Sequence, residues 1–232
     1  MDISLLTSEG FLFLLRWLHF IFGVIWIGHL YYFNFTQGGF FAETDAATKS
    51  NCIQKLVPRA LWWFRWGAMF TMATGVLILL MKGHQNPTLF VTAWGVSILT
   101  GAALGLLMWY NVWFVIWPNQ KVVIENALQT ASGKPANPQA ASCAAKAGLC
   151  SRSNVLFSFP MLFFMGAASH LPLTVTTTNF LPLLLVIGGV LVVLELNGLK
   201  GKMGPMTTVK GVIHCGVGLT LVLYVIMEVL TK

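Results

Sequence analysis

Charge is scarce in this chain. Asp, Glu, Lys and Arg make up 9% of its 232 residues, and only 7 residues are acidic. A soluble domain carries roughly 25% charged residues to keep its surface hydrated. That scarcity, with 56% hydrophobic residues and a mean hydropathy of +0.76, excludes an ordinary soluble domain. Also missing is any glycine pattern of the nucleotide-binding type, which argues against a dinucleotide or phosphate cradle. No C-x-x-C or C-x-x-C-H occurs among Cys52, Cys143, Cys150 and Cys215, so no c-type haem is attached to this chain. A metal site on Cys143 and Cys150 lacks a nearby His or second Cys pair. Cys215 reads as a small core residue. The first apolar run has no basic stretch before it, only Glu9 close by. A cleavable leader is therefore not expected. No internal repeat is evident.

What is present is long apolar runs. A helix needs ~20 apolar residues to cross the hydrocarbon layer. Such runs lie near 11–33, 62–81, 90–116, 154–172, 178–197 and 210–230. The expectation is an all-α polytopic membrane bundle of about six helices, a single transmembrane domain over 1–232. Segment 37–60 reads as a polar loop with room for a short helix before Pro58. Residues 119–153 read as one substantial extramembrane loop, weakly helical over 121–130 and flexible over 131–142. Gly101-x-x-x-Gly105 marks a close helix approach. Phe159-Pro160 marks a kink.

Basic residues fall mostly on one side of this arrangement. Eleven of the 14 (Lys49, Lys55, Arg59, Arg65, Lys121, Lys134, Lys146, Arg152, Lys200, Lys202 and Lys210) sit in or beside connections 1–2, 3–4 and 5–6. Only Arg16, Lys82 and Lys232 sit on the other. The positive-inside rule makes connection 119–153 cytoplasmic and puts both termini outside, periplasmic in a bacterial inner membrane. The net charge of +7 is thus a topology signal, with the lipid bilayer as partner and no nucleic acid.

Five histidines stand out against this apolar background. An imidazole at membrane depth is costly, and is usually kept for a metal, a haem or a proton path. With a 1.5 Å rise per residue, His19 lies roughly 12 Å below the outer surface and His29 roughly 15 Å deeper. His84 and His170 join His19 in an outer group, while His29 and His214 form an inner one. A bis-histidine haem b needs two imidazoles from facing helices. His19 with His170 is the first choice, and His29 with His214 would hold a second haem. His84 competes for the outer site. Arg16 shares the His19 face at i and i+3, where a haem propionate or a substrate carboxylate would pair it.

Plainer readings stand beside these. Each histidine also suits a hydrogen bond to a neighbouring helix or a helix-end cap, and His84 suits a polar turn. Arg16 also suits a snorkelling role at the headgroups. Met69, Met72 and Met108 suit packing better than copper. Glu195 reads as an interface residue rather than a proton-path carboxylate.

One set of residues, in order, resembles a known family. Trp17-Leu18-His19 through Gly23-x-x-Trp26-Ile27-Gly28 and Tyr31-Tyr32-Phe33 resembles the opening of the membrane domain of bacterial membrane-bound urate oxidases (urate hydroxylases). Trp63-Phe64-Arg65-Trp66 with Thr74-Gly75, then Asn111-Val112-Trp113 with Ile116-Trp117-Pro118-Asn119-Gln120, follow in that order. Ser151-Arg152-Ser153-Asn154 and the run from Phe159-Pro160 to His170 and Pro172 complete it. The resemblance covers roughly residues 11–172 and implies a redox role beside a cytochrome c. It differs from the family's usual pattern at His29, at Val193-Leu194-Glu195 and in having no C-x-x-C-H, so a short member without the cytochrome c domain is expected.

Three functions remain open. One is a membrane redox subunit holding one or two b haems and exchanging electrons with a cytochrome c or a larger respiratory complex. Another is a urate-oxidase-like enzyme acting on a small heterocyclic anion. The last is a non-redox structural, assembly or transport subunit.

Overall fold

The computed structural model describes residues 3–171, 173–175 and 179–231. These form six long helices and no strand. We number them α1, Ser8–Glu43; α2, Ala46–Gln85; α3, Ala93–Ala131; α4, Ala140–His170; α5, Phe180–Lys200; and α6, Val209–Thr231. The all-helical bundle expected from the apolar runs is what forms. Five of the helices, all but α4, are long and apolar enough to cross a membrane. Their outward side chains include Phe13, Val24, Leu80, Leu185, Val193 and Val229, all more than half exposed. Such a continuous apolar surface suits lipid and not water.

Two expected loops are helical. Segment 37–60 belongs to α1 and α2, which meet at a break of two residues, Thr44 and Asp45. Asp45 Oδ1 accepts the backbone N–H groups of Ala47 and Thr48, both at 2.9 Å, and so starts α2. Pro58 lies inside α2. Its missing N–H costs little where the helix is already held by neighbours. Of the expected loop 119–153, only 132–139 is non-helical. Trp117–Ala131 extends α3, and the Ala-rich stretch from Ala140 begins α4. Ala, Lys and Gln favour helix wherever a neighbour supplies packing, and these two extensions pack on each other.

Helix α4 is the centre of the bundle. It packs against α1, α3, α5 and α6. Its second half buries Val155, Leu156, Phe157, Met161 and Phe164. That central place explains why it is not apolar all round. Protein instead of lipid surrounds it, so Ser153, Asn154 and Ser158 are buried there with partners. Two glycines set the helix spacing. A Cβ on Gly101 of α3 would lie 3.2 Å from Met165 Cγ and 3.3 Å from Met165 N of α4. A Cβ on Gly198 of α5 would lie 2.7 Å from Ser153 Oγ.

α1 and α3 each contain a π-helical turn, Tyr32–Gln37 and Asn111–Ile116. π-turns inside long helices are uncommon and recur at functional sites. Both turns here fall beside the buried polar residues described next.

Candidate functional site

The histidines are spread through the bundle. His19 is half-buried on α1 and its Nδ1 lies 3.1 Å from Thr74 Oγ1 on α2. The Thr74 hydroxyl donates its own hydrogen to the Phe70 carbonyl at 2.7 Å. It can therefore only accept from His19, which puts the proton on Nδ1 and leaves Nε2 with a bare lone pair. His29 Nδ1 lies 2.7 Å from the Ile25 carbonyl, and His214 Nδ1 lies 2.7 Å from the Lys210 carbonyl. A carbonyl only accepts, so both are Nδ1–H tautomers with Nε2 free. An orienting bond at one ring nitrogen and a free lone pair at the other is how a metal-binding imidazole is usually held.

The expected pairs are not brought together by any contact among the described residues. His29 lines an open groove of about 500 Å³ between α1 and α2, with Gly28, Tyr32, Arg59 and Trp63, and no residue of α6 reaches it. His214 is exposed on α6. His170 is exposed at the last residue of α4, and His84 is exposed near the end of α2. Leu171 follows the end of α4, and Pro172 lies outside the described residues. Arg16 is exposed on α1 while His19, one turn on, turns toward α2. Among the described residues no group of three or more His, Cys, Asp or Glu is placed to hold a metal ion.

Sequence reasoning missed the polar interior. Asn111, on the π-turn of α3, is fully buried. Its Nδ2 donates to Asn154 Oδ1 on α4 at 2.9 Å and to Glu195 Oε2 on α5 at 3.1 Å. Asn154 Nδ2 donates in turn to the Met108 carbonyl at 3.0 Å. Glu195 is thus a buried residue, 7% exposed, and not the interface residue expected. Asn111 Oδ1 and Glu195 Oε1 are buried without a partner among the described residues. The one legible signal was an Asn or Glu within each of three apolar runs.

A second polar site lies among α1, α2, α3 and α4. It is a cavity of about 170 Å³ lined by Asn34, Gln37, Gln120, Ser151 and Arg152 together with apolar side chains. The tryptophans nearby are structural. Arg65 on α2 places its guanidinium 3.5 Å from the Trp117 ring centroid and 5.5 Å from that of Trp113, a cation–π clamp that joins α2 to α3.

The residues that would hold a haem are His19, through its Nε2, and His29 with Arg59 in the α1–α2 groove, and among the described residues neither imidazole faces a second one. No curated protein and no solved structure matches the sequence. A family model described as urate oxidase N-terminal matches residues 87–227, from the short turn before α3 to near the end of α6. The matched part contains His170, His214, the Asn111–Asn154–Glu195 network and Arg152, while Arg16, His19, His29 and His84 precede it. Because that match covers more than half of the sequence, this multi-helix membrane chain belongs to the urate oxidase N-terminal family.

Proposed function

We propose that this protein is the membrane redox subunit of a urate-oxidising system. It takes a small heterocyclic anion of the urate class and hands electrons to a cytochrome c or a larger respiratory complex. The observation that carries this reading is the family match over residues 87–227. The buried polar residues of that segment support it, because an apolar bundle keeps unpartnered polar atoms inside only at a cost.

The chain's own contribution is placement. Thr74 holds the His19 ring with its Nε2 unprotonated, the atom that would bind a haem iron. His29 offers the same group beside Arg59, whose guanidinium suits a propionate. Haem b bound at either place supplies a one-electron carrier whose potential the ligand and burial set. By the positive-inside rule, the basic ends of the helices face the cytoplasm and the termini face the periplasm of a bacterial inner membrane.

The test uses membranes from cells that produce the full chain. Urate and oxidised cytochrome c are added, and both are followed with time. Urate loss in step with cytochrome c reduction, absent from membranes without the chain, is the expected result. Persistence of urate, or its loss with no acceptor reduced, contradicts the reading.

A further inference from the structure

We infer that the cavity among α1, α2, α3 and α4 binds one small planar anion that presents an anionic oxygen and a ring N–H together. Two buried polar atoms there have no partner among the described residues: Arg152 Nη1 and Gln37 Oε1. Both residues line the cavity. One is a cationic donor, the other a neutral acceptor. No Asp or Glu lines the cavity, so nothing on its walls neutralises the guanidinium. Arg152 is half-buried, with Nη1 turned inside; a guanidinium N–H kept from water without an anion is unfavourable, and the planar fork suits a planar oxyanion. The Gln37 oxygen requires a donor, which a simple carboxylate lacks.

Other wall residues fix the remaining chemistry. Asn34 Nδ2 spends both hydrogens, on the Leu30 carbonyl at 2.9 Å and on Ser151 Oγ at 2.8 Å. Ser151 therefore accepts from Asn34 and keeps its own hydroxyl hydrogen for a ligand. Phe33 and Phe64 pack edge to face at 5.5 Å and form an aromatic wall. Phe33, Asn34 and Gln37 all come from the π-turn of α1. At about 170 Å³ the cavity exceeds the ~150 Å³ that holds one benzene. It therefore has room for one small ring system.

Urate as the probe rests on the proposed function, but the site itself does not. Purified full-length protein in detergent is titrated with urate by calorimetry, anaerobically and without an electron acceptor, so that no turnover occurs. Benzoate, which has the carboxylate but no ring N–H, is the comparison. One urate per chain is expected to bind, and benzoate to bind more weakly. Arg152→Lys is expected to weaken urate roughly tenfold through loss of the planar fork. Gln37→Leu is expected to weaken urate by a similar factor and leave benzoate unchanged. Equal urate binding by both variants and the wild type, or no binding by the wild type, overturns the site. Should Arg152→Lys fail to fold, the urate-to-benzoate ratio of Gln37→Leu decides alone. Binding without any electron transfer to cytochrome c would remove the redox reading and keep the site. Turnover with unchanged binding in both variants would do the reverse.

Discussion

Asn111 on α3 donates to Glu195 on α5 across 3.1 Å while its other amide hydrogen is held by Asn154 of α4 at 2.9 Å. One side chain thus joins three helices at a depth where lipid surrounds the bundle. Hydrogen bonds between membrane helices are worth ~0.6 kcal/mol on average and up to ~1.7. Removing one partner also strands the other, at ~1–3 kcal/mol. Asn154→Ala removes the bond to the Met108 carbonyl and leaves an Asn111 hydrogen unmet, so it should destabilise the protein by about 1–2 kcal/mol. Asn111→Ala should cost a similar amount, and the double variant less than the sum. Reversible unfolding in mixed micelles measures this cycle, and strict additivity would show that the two asparagines do not act together.

Close contact between α3 and α4 depends on Gly101. A Cβ there would sit 3.2 Å from Met165 Cγ and 3.3 Å from the Met165 backbone N. The methionine side chain can shift, but the backbone cannot without parting the helices. Gly101→Leu should lower stability by about 1–3 kcal/mol through overpacking. Gly105→Ala, where the nearest atom is Met161 Sδ at 3.9 Å, should be near neutral. Thermal unfolding of the two variants checks the contrast. An equal effect at both positions would contradict the spacing argument.

The start of α2 carries a pH dependence. Asp45 accepts from the Thr48 hydroxyl at 2.6 Å and from two backbone N–H groups. Led by the bond from the Thr48 side chain, these contacts hold its carboxyl below the ordinary Asp range. A depressed folded pKa means the stabilisation is present above the unfolded value, ~3.9, and fades as pH falls through the folded one. Asp45→Ala should therefore melt at a lower temperature than wild type at pH 7, with the gap closing at the acid end. Melting curves at pH 7 and near pH 3 measure it. A gap independent of pH would mean that the carboxylate does not act as the cap.

How far the sequence could be read depended on which signal each feature left. Long apolar runs marked the bundle, because lipid contact demands them whatever the neighbours. Helix ends toward the basic side were misjudged. The stretches at 37–60 and 119–153 are polar enough to resemble loops, yet α1 pairs with α2 and the end of α3 with α4 there. The π-turns at Tyr32–Gln37 and Asn111–Ile116 leave no periodicity mark in so apolar a segment. Histidines drew attention because they are rare and costly in lipid. Arg152 and Gln37 did not, since one was counted as a topology charge and the other as part of a loop. Their importance rests on burial without a partner, which only the three-dimensional arrangement reveals.

The most direct measurement is an optical spectrum of the purified protein, recorded anaerobically before and after urate and then after dithionite, with a pyridine haemochrome count. The expected result is one or two b-type haems per chain, an α-band that rises on adding urate, and its loss or displacement in His19→Ala. A colourless protein would contradict the haem, and a band that only dithionite raises would contradict urate as the electron source.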